Sequence, residues 1–158
     1  MTIRLARSDD LSWMHVLNEE HAQELSSTSF TDFGVLVSKC VRAWLVEPDV
    51  GFLLVMDQTA AYDSPNFHWF KNEADRFLYV DRIVVAHQYR RGGFARALYE
   101  TLFDFAQENG FDRIFCEVNA DPPNPRSDAF HMALGFRRIG EARLEDRGKT
   151  VQYLERRL

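Results

Sequence analysis

The stretch that most constrains this 158-residue chain runs from residue 77 to residue 110. Phe77-Leu78-Tyr79-Val80-Asp81-Arg82-Ile83-Val84-Val85 reads as a strand, and its adjacent Asp81-Arg82 pair interrupts the alternation as a β-bulge would. Ala95, Leu98, Leu102, Phe105 and Ala106 then recur at helical spacing, with Gly110 placed to end the helix. Between strand and helix lies His87-Gln88-Tyr89-Arg90-Arg91-Gly92-Gly93-Phe94-Ala95-Arg96. A glycine-containing turn that opens directly into a helix aims successive backbone N–H groups at one point, and the helix dipole adds to their attraction for an anion. A diphosphate fits such a site. Arg90 to Ala95 has the form Gln/Arg-x-x-Gly-x-Gly/Ala; no Gly-Lys-Ser/Thr follows, which excludes a Walker A loop, and the absence of Gly-x-Gly-x-x-Gly argues against a Rossmann dinucleotide site.

The rest of the chain alternates between the two periods. Ile3 and Leu5 suggest a short first strand, and Ser8-Asp9-Asp10 starts a helix carrying Leu11, Met14, Leu17, Ala22 and Leu25. A second helix follows through Phe33, Leu36, Val37 and Cys40. Trp44-Leu45-Val46 and Phe52-Leu53-Leu54-Val55-Met56 form a hairpin across Pro48 to Gly51. Residues 58–76 show neither period and read as a long loop, with Tyr62, Phe67, Trp69 and Phe70 around Asp63-Ser64-Pro65-Asn66. Its aromatics either plug the edge of the core or select a substrate. Downstream, Arg113 to Val118 is a strand, Asn119 to Arg126 a Pro-rich loop, Ser127 to Leu134 a short helix, and 136–144 and 150–156 are two closing strands.

Composition narrows the class of protein. Apolar residues make up 46% and aromatics 13%, enough for one compact domain spanning 1–158 and too much for a disordered chain. The net charge of -5 gives no general attraction for nucleic acid or anionic membranes, so neither is expected as a partner. That charge is uneven: residues 1–80 carry 6 Lys/Arg and 12 Asp/Glu, residues 81–158 carry 13 and 12. Cys40 and Cys116 have no metal-ligand spacing and read as buried thiols, so no metal is expected. Met1 to Arg7 lacks the apolar core of a signal peptide, and no run approaches 18 apolar residues; a soluble, cytoplasmic protein is expected.

The chain resembles the GNAT superfamily of acetyl-CoA-dependent N-acetyltransferases. The resemblance rests on the strand ending Ile83-Val84-Val85, the loop Arg90 to Ala95 with its helix, and Asn124-Pro125-Arg126-Ser127-Asp128-Ala129-Phe130-His131-Met132-Ala133-Leu134-Gly135-Phe136, which is similar to Asn-x-x-Ala-x-x-Phe/Leu-Tyr-x-x-x-Gly-Phe. It implies an α+β fold, a mixed and mostly antiparallel sheet with helices on both faces, whose fourth and fifth strands splay to admit the cofactor. It implies acetyl-CoA as co-substrate, with the diphosphate on the amides of Arg91, Gly92, Gly93, Phe94 and Ala95 beside Arg90. Pantetheine would run along Ile83, Val84 and Val85 and meet Asn124, with Ser127 and Phe130 nearby. An amide at Val84 or Val85 would donate to the thioester oxygen, where negative charge grows during attack.

Two positions depart from the family pattern: Ser127 stands in place of alanine and His131 in place of the tyrosine that acts as general acid. A protonated imidazole can supply a proton to a thiolate, while a plainer role for His131 is packing; Tyr99, Tyr89 and Tyr79 are alternative acids. The acceptor ammonium must lose a proton before it can attack, and Asp81 matches the family's site for the base. Its plainer reading is an ion pair with Arg82; His87 is a weaker candidate. Cys116, mid-strand, reads as packing rather than as an acyl carrier. The resemblance places the acceptor across the sheet, against the acidic half and residues 58–76, with Tyr62, Trp69 and Tyr79 facing it. The expected reaction is direct acetyl transfer to a primary amine, a small cationic metabolite. The alternative is a non-catalytic acyl-CoA-binding module. A homodimer through an edge strand or the C-terminal strands is compatible with the sequence.

Overall fold

A computed structural model describes residues 1–23 and 25–158. Seven strands form one sheet in the order β1-β2-β3-β4-β5-β7-β6. They are β1 (Thr2–Leu5), β2 (Arg42–Glu47), β3 (Gly51–Asp57), β4 (Leu78–Val85), β5 (Arg113–Asp121), β6 (Arg137–Leu144) and β7 (Lys149–Arg157). Every neighbouring pair is antiparallel except β4 and β5, which run parallel and pair only at Leu78 with Ile114 and Tyr79 with Phe115. Beyond those two rungs the strands part. The fold is thus the mixed, mostly antiparallel α+β sheet with splayed fourth and fifth strands that the resemblance implied.

Alternation along each strand divides the core in two. Phe52, Leu54, Met56, Tyr79, Phe115, Val151 and Tyr153 face α1 (Leu11–Glu20), α2 (Phe30–Ser38) and α3 (Pro65–Lys71). Leu53, Val55, Leu78, Val80, Ile114, Cys116 and Leu154 face α4 (Phe94–Glu108) and the chain that follows α5 (Pro125–Ala133). β3 is covered on both faces, which is why its sequence reads as an unbroken apolar run rather than an alternating one. The bulge expected at Asp81-Arg82 is present: Leu54 pairs with Arg82 and Val55 with Val80, leaving Asp81 as the extra residue. Helix α4 buries Leu98, Tyr99, Leu102 and Ala106 and closes with the Phe111 N–H donating to the Ala106 carbonyl, the reach expected when the chain turns at Gly110.

Two readings of the sequence need correction. The first helix ends at Glu20 rather than near Leu25, where the His21 N–H turns back to the Asn18 carbonyl. Residues 58–76 are not a plain loop, because Pro65–Lys71 is helical. Ser64 caps it through the Phe67 N–H, and Pro65 occupies the first turn, where a missing N–H costs nothing. Phe67 and Phe70 are fully buried. Phe70 stacks on Phe115 at 4.6 Å between ring centroids and meets Tyr153 edge-on at 5.0 Å. Trp69 stacks on Tyr153 at 4.2 Å and lies over Gly140, where a Cβ would stand 2.5 Å from the indole. Trp69 therefore belongs to the packing between α3, β6 and β7 and is absent from the cavity described next, contrary to its expected place at the acceptor.

Candidate active site

The splay of β4 from β5 opens a cavity of about 660 Å³ that passes from the α4–α5 face of the sheet to the α1–α3 face. Its cofactor-side wall is the loop singled out in the sequence. His87–Tyr89 makes one 3-10 turn, Arg90 is extended, and Arg91 and Gly93 take left-handed backbone conformations with φ of 66° and 79° before α4 begins at Phe94. No side chain caps that helix, so its first-turn amides have no partner within the helix and none from a cap. Arg90, Arg91, Gly93, Phe94, Ala95 and Arg96 line the cavity here, together with Ile83, Val84 and Val85 on β4. Gly92 does not line it; a Cβ there would press on the Phe94 ring at 2.6 Å, so its lack of a side chain permits the turn. Uncapped amides and adjacent arginines suit a diphosphate. Asn124, Ser127 and Phe130 complete this side, and the Asn124 side chain accepts from the Ser127 N–H to cap α5.

Gly93→Asp is expected to raise the KM for acetyl-CoA at least tenfold while shifting the melting temperature only slightly. The position has open space around it, and its φ of 79° strains any side chain, Asp and Asn the least, so the larger effect comes from an anion set beside the diphosphate. Initial rates against acetyl-CoA with parallel thermal melts check this; an unchanged KM would remove the loop from cofactor binding.

The chemistry-bearing groups lie deeper. Glu117 of β5 is half-buried in the gap, with Tyr79 donating to both its oxygens at 2.9 and 2.8 Å and Asn66 Nδ2 donating to Oε1 at 3.1 Å. Asn66 in turn accepts from the Tyr153 hydroxyl at 2.8 Å. Burial, and next the charge of Asp81, push the Glu117 carboxyl up to about 7, against the opposing pull of Tyr79, Asn66 and Lys149. Nothing in the sequence reading had assigned Glu117 a role. The signal was there: one carboxylate in the apolar run Ile114-Phe115-Cys116-Glu117-Val118, at a position the alternation turns toward the Phe115 side.

Asp81 also lines the cavity, but its carboxylate is already engaged. It accepts from the Tyr62 hydroxyl at 2.7 Å and pairs with Arg82 at 3.1 Å, and Arg82 is anchored further by the Asn18 side chain and the Ser26 carbonyl. Tyr62 and Tyr79 also line the wall.

His131 is buried, with Nδ1 2.7 Å from the Ser127 carbonyl and Nε2 2.7 Å from the Tyr99 hydroxyl. The carbonyl can only accept, so Nδ1 holds the proton and Nε2 accepts from Tyr99. Burial pulls the imidazole below its ordinary range, so this histidine is neutral near pH 7 and presents no proton of its own to the cavity through Nε2. Cys116, also on the wall, is held as a thiol: burial and then the nearby Glu117 charge push it well above its ordinary value.

The charge expected at the acceptor end is reversed. Among the described residues, no acid from 1–80 lines this cavity; its only carboxylates are Asp81 and Glu117, whereas Arg82, Arg147 and Lys149 contribute cations away from the phosphate loop.

A sheet parted between two parallel strands, an uncapped helix facing the opening and a half-buried carboxylate beside it suit an acyl-CoA-dependent transferase. The Acetyltransferase (GNAT) family pattern matches residues 12–136, and the chain belongs to that family. The same fold occurs in a ribosomal-protein-alanine N-acetyltransferase from Brucella melitensis, with a TM-score of 0.75, 18% identity and full coverage of both chains (100% and 100%). Ard1 from Thermoplasma volcanium aligns with a TM-score of 0.77 at 16% identity over 99% of this chain and 97% of that one. yncA from Salmonella typhimurium, solved with its cofactor acetyl-CoA, aligns at 0.71 and 16% identity over 100% of this chain and 94% of its own. No curated protein matches the chain in sequence. Among the described residues, no helix is long and apolar enough to cross a membrane.

Proposed function

We propose that this acetyltransferase moves the acetyl group of acetyl-CoA directly to the primary amine of a small molecule, within one ternary complex, using Glu117 as general base. The observation that carries this is a half-buried carboxylate on the cavity wall, held by Tyr79 and Asn66 in the gap between β4 and β5, that is pushed up to about 7. A base poised near working pH is half ionised yet still basic enough to take a proton from an ammonium. The lone pair so freed attacks the thioester carbon, the C–S bond breaks, and the sulfur leaves as thiol with the second proton of the acceptor nitrogen. Amides of β4 that do not face β3 supply donors to the thioester oxygen. The Tyr99 hydroxyl lines the cavity but gives its one proton to His131 Nε2, so it reaches the departing sulfur only by turning away from the histidine. Asp81 acts indirectly, its charge helping to keep Glu117 basic.

Solved relatives of this fold include one named for a ribosomal-protein alanine and one bound to a Gag peptide and CoA, so the acceptor is read from the cavity rather than from the fold. About 660 Å³, part of it taken by pantetheine, falls within the range of small-molecule sites. The test is an acetyl-CoA turnover screen following free thiol against polyamines, amino acids, aminoglycosides and peptide N-termini. Thiol release should require an amine; a burst of thiol without one, with an acetylated Cys116 peptide, would replace direct transfer by a covalent route. Tight CoA binding with no transfer to any amine would make the chain an acyl-CoA-binding module instead.

A further inference from the structure

Arg147 and Lys149 are two cations on the cavity wall with no carboxylate at ion-pair distance among the described residues, Glu117 acting on Lys149 only from farther off. Among the described residues, neither makes an ion pair or a side-chain hydrogen bond. Neighbouring arginines are treated differently. Arg143 pairs with Asp121 and Glu145, Arg113, Arg137 and Arg157 converge on Glu155, and Arg82 holds Asp81. Lys149 is half-buried, and its ammonium is pulled down first by burial and then by the Arg147 charge, with Glu117 acting in the opposite sense. Arg147 is exposed beside the half-buried Lys149; their like charges repel one another, and an anion between them removes the repulsion.

Their position says which anion. Glu117 pairs with Tyr153 across β5 and β7, and Lys149 has the same parity along β7 as Tyr153 and Val151, whose side chains pack on the α1–α3 face. The phosphate loop opens α4 on the opposite face. Lys149 therefore stands on the acceptor's side of the sheet, away from the CoA diphosphate, and its charge is felt by the base itself.

We propose that Arg147 and Lys149 form an anion subsite for the acceptor, so that the substrate is a small molecule bearing both a primary amine and an anionic group such as a carboxylate or phosphonate. This rests on the function proposed above and replaces the cationic metabolite expected from the sequence by a zwitterion. The amine goes to Glu117 and the anion to the β6–β7 turn, which fixes the nitrogen's distance from the thioester. A dication lacking the anion meets uncompensated positive charge at that turn and is disfavoured.

The experiment compares amino acids and aminophosphonates with their uncharged carboxamides or esters as acceptors, in the native protein and in Arg147→Gln/Lys149→Met. The acid is expected to exceed its carboxamide in kcat/KM by at least tenfold, and the double variant should lose that preference with the KM for acetyl-CoA unchanged within about twofold. Carboxylates and aminophosphonates together in the active set mark a general anion subsite; one without the other names the group. Neutral amines, polyamines or peptide N-termini that outperform every anionic amine would overturn the subsite while leaving acetyl transfer standing. A rise in the KM for acetyl-CoA as large as the loss on the acceptor would assign the two cations to the cofactor and also overturn it. A second readout needs no turnover: an N-acetylated amino acid should raise the melting temperature of the CoA-bound protein more than its carboxamide does, and Arg147→Gln/Lys149→Met should erase the difference. Equal shifts in the native protein would overturn the subsite. Shifts that favour the acid, without thiol release from any amine, would instead break the transferase reading.

Discussion

Glu117→Gln should lower kcat/KM by about 10²–10⁴-fold, the usual contribution of a positioned general base. Glutamine keeps the shape and can still accept from Tyr79, so the loss reports proton transfer rather than packing. The native enzyme should gain activity as pH rises through about 7, where the carboxyl ionises, and the variant's residual activity should lack that limb. Stability should move the other way. The folded carboxyl titrates at about 7 against an ordinary 4.5, so the stabilising, protonated form is complete below about 4.5 and is lost as pH rises through about 7. That loss is of order 3 kcal/mol, at 1.36 kcal/mol per pH unit. Glu117→Gln should therefore melt higher than the native protein at pH 8 and about equal to it at pH 4. Urea midpoints across that range, set beside pH–rate profiles, check both halves. A variant with near-native kcat/KM would dismiss Glu117 as the base.

The largest effect on stability is expected from Phe70→Ala. Removing a fully buried ring that touches Phe115, Tyr153, Trp69 and Tyr79 costs about 3–5 kcal/mol, or roughly 6–20 °C in melting temperature for a chain of this size. Activity should fall with it even at temperatures where the protein stays folded, because the same helix carries Asn66 to Glu117. Denaturant titration with activity measured at 10 °C separates the two. A cost below about 1 kcal/mol would mean that α3 is a detachable cover rather than a wall of the core.

Phe70 also shows where the sequence was opaque. Strands and long helices announced themselves because their apolar residues recur at the period of one buried face, and even the bulge at Asp81 was visible as two adjacent charges in a strand. Seven residues of α3 are too few for a periodic signal, and its aromatics point to α1–α3 core, β6 and β7 together. What could have found it was Ser64-Pro65, a cap followed by the one residue suited to a first turn. The proposed phosphate loop was legible for a different reason: the role proposed for it falls to backbone amides, and glycines next to a helix start mark those directly. The carboxylate proposed as base was harder, since Asp81 and Glu117 look equally suitable until their partners are known. Arg82 and Tyr62 occupy the first, whereas only neutral hydroxyl and amide donors touch the second. Charge totals misled because the acids of residues 1–80 that the structure describes do not line the cavity, while Arg147 and Lys149 reach it from the far end of the chain.

The two rungs joining β4 to β5 have a thermodynamic consequence. All other strand pairs lock over at least four residues, so the sheet is two firm ladders, β1 to β4 and β5 to β7, held at their seam by a short overlap and the helices that span it. Pantetheine amides laid along Ile83 to Val85 would act as the missing strand. Acetyl-CoA is then a structural ligand as well as a reactant: at a concentration of one hundred times its Kd it should stabilise the fold by about 2.7 kcal/mol. Amide hydrogen exchange should slow most along 83–85 and 118–119, the lips of the seam, and least in the hairpin of β2 and β3, which is already closed without it.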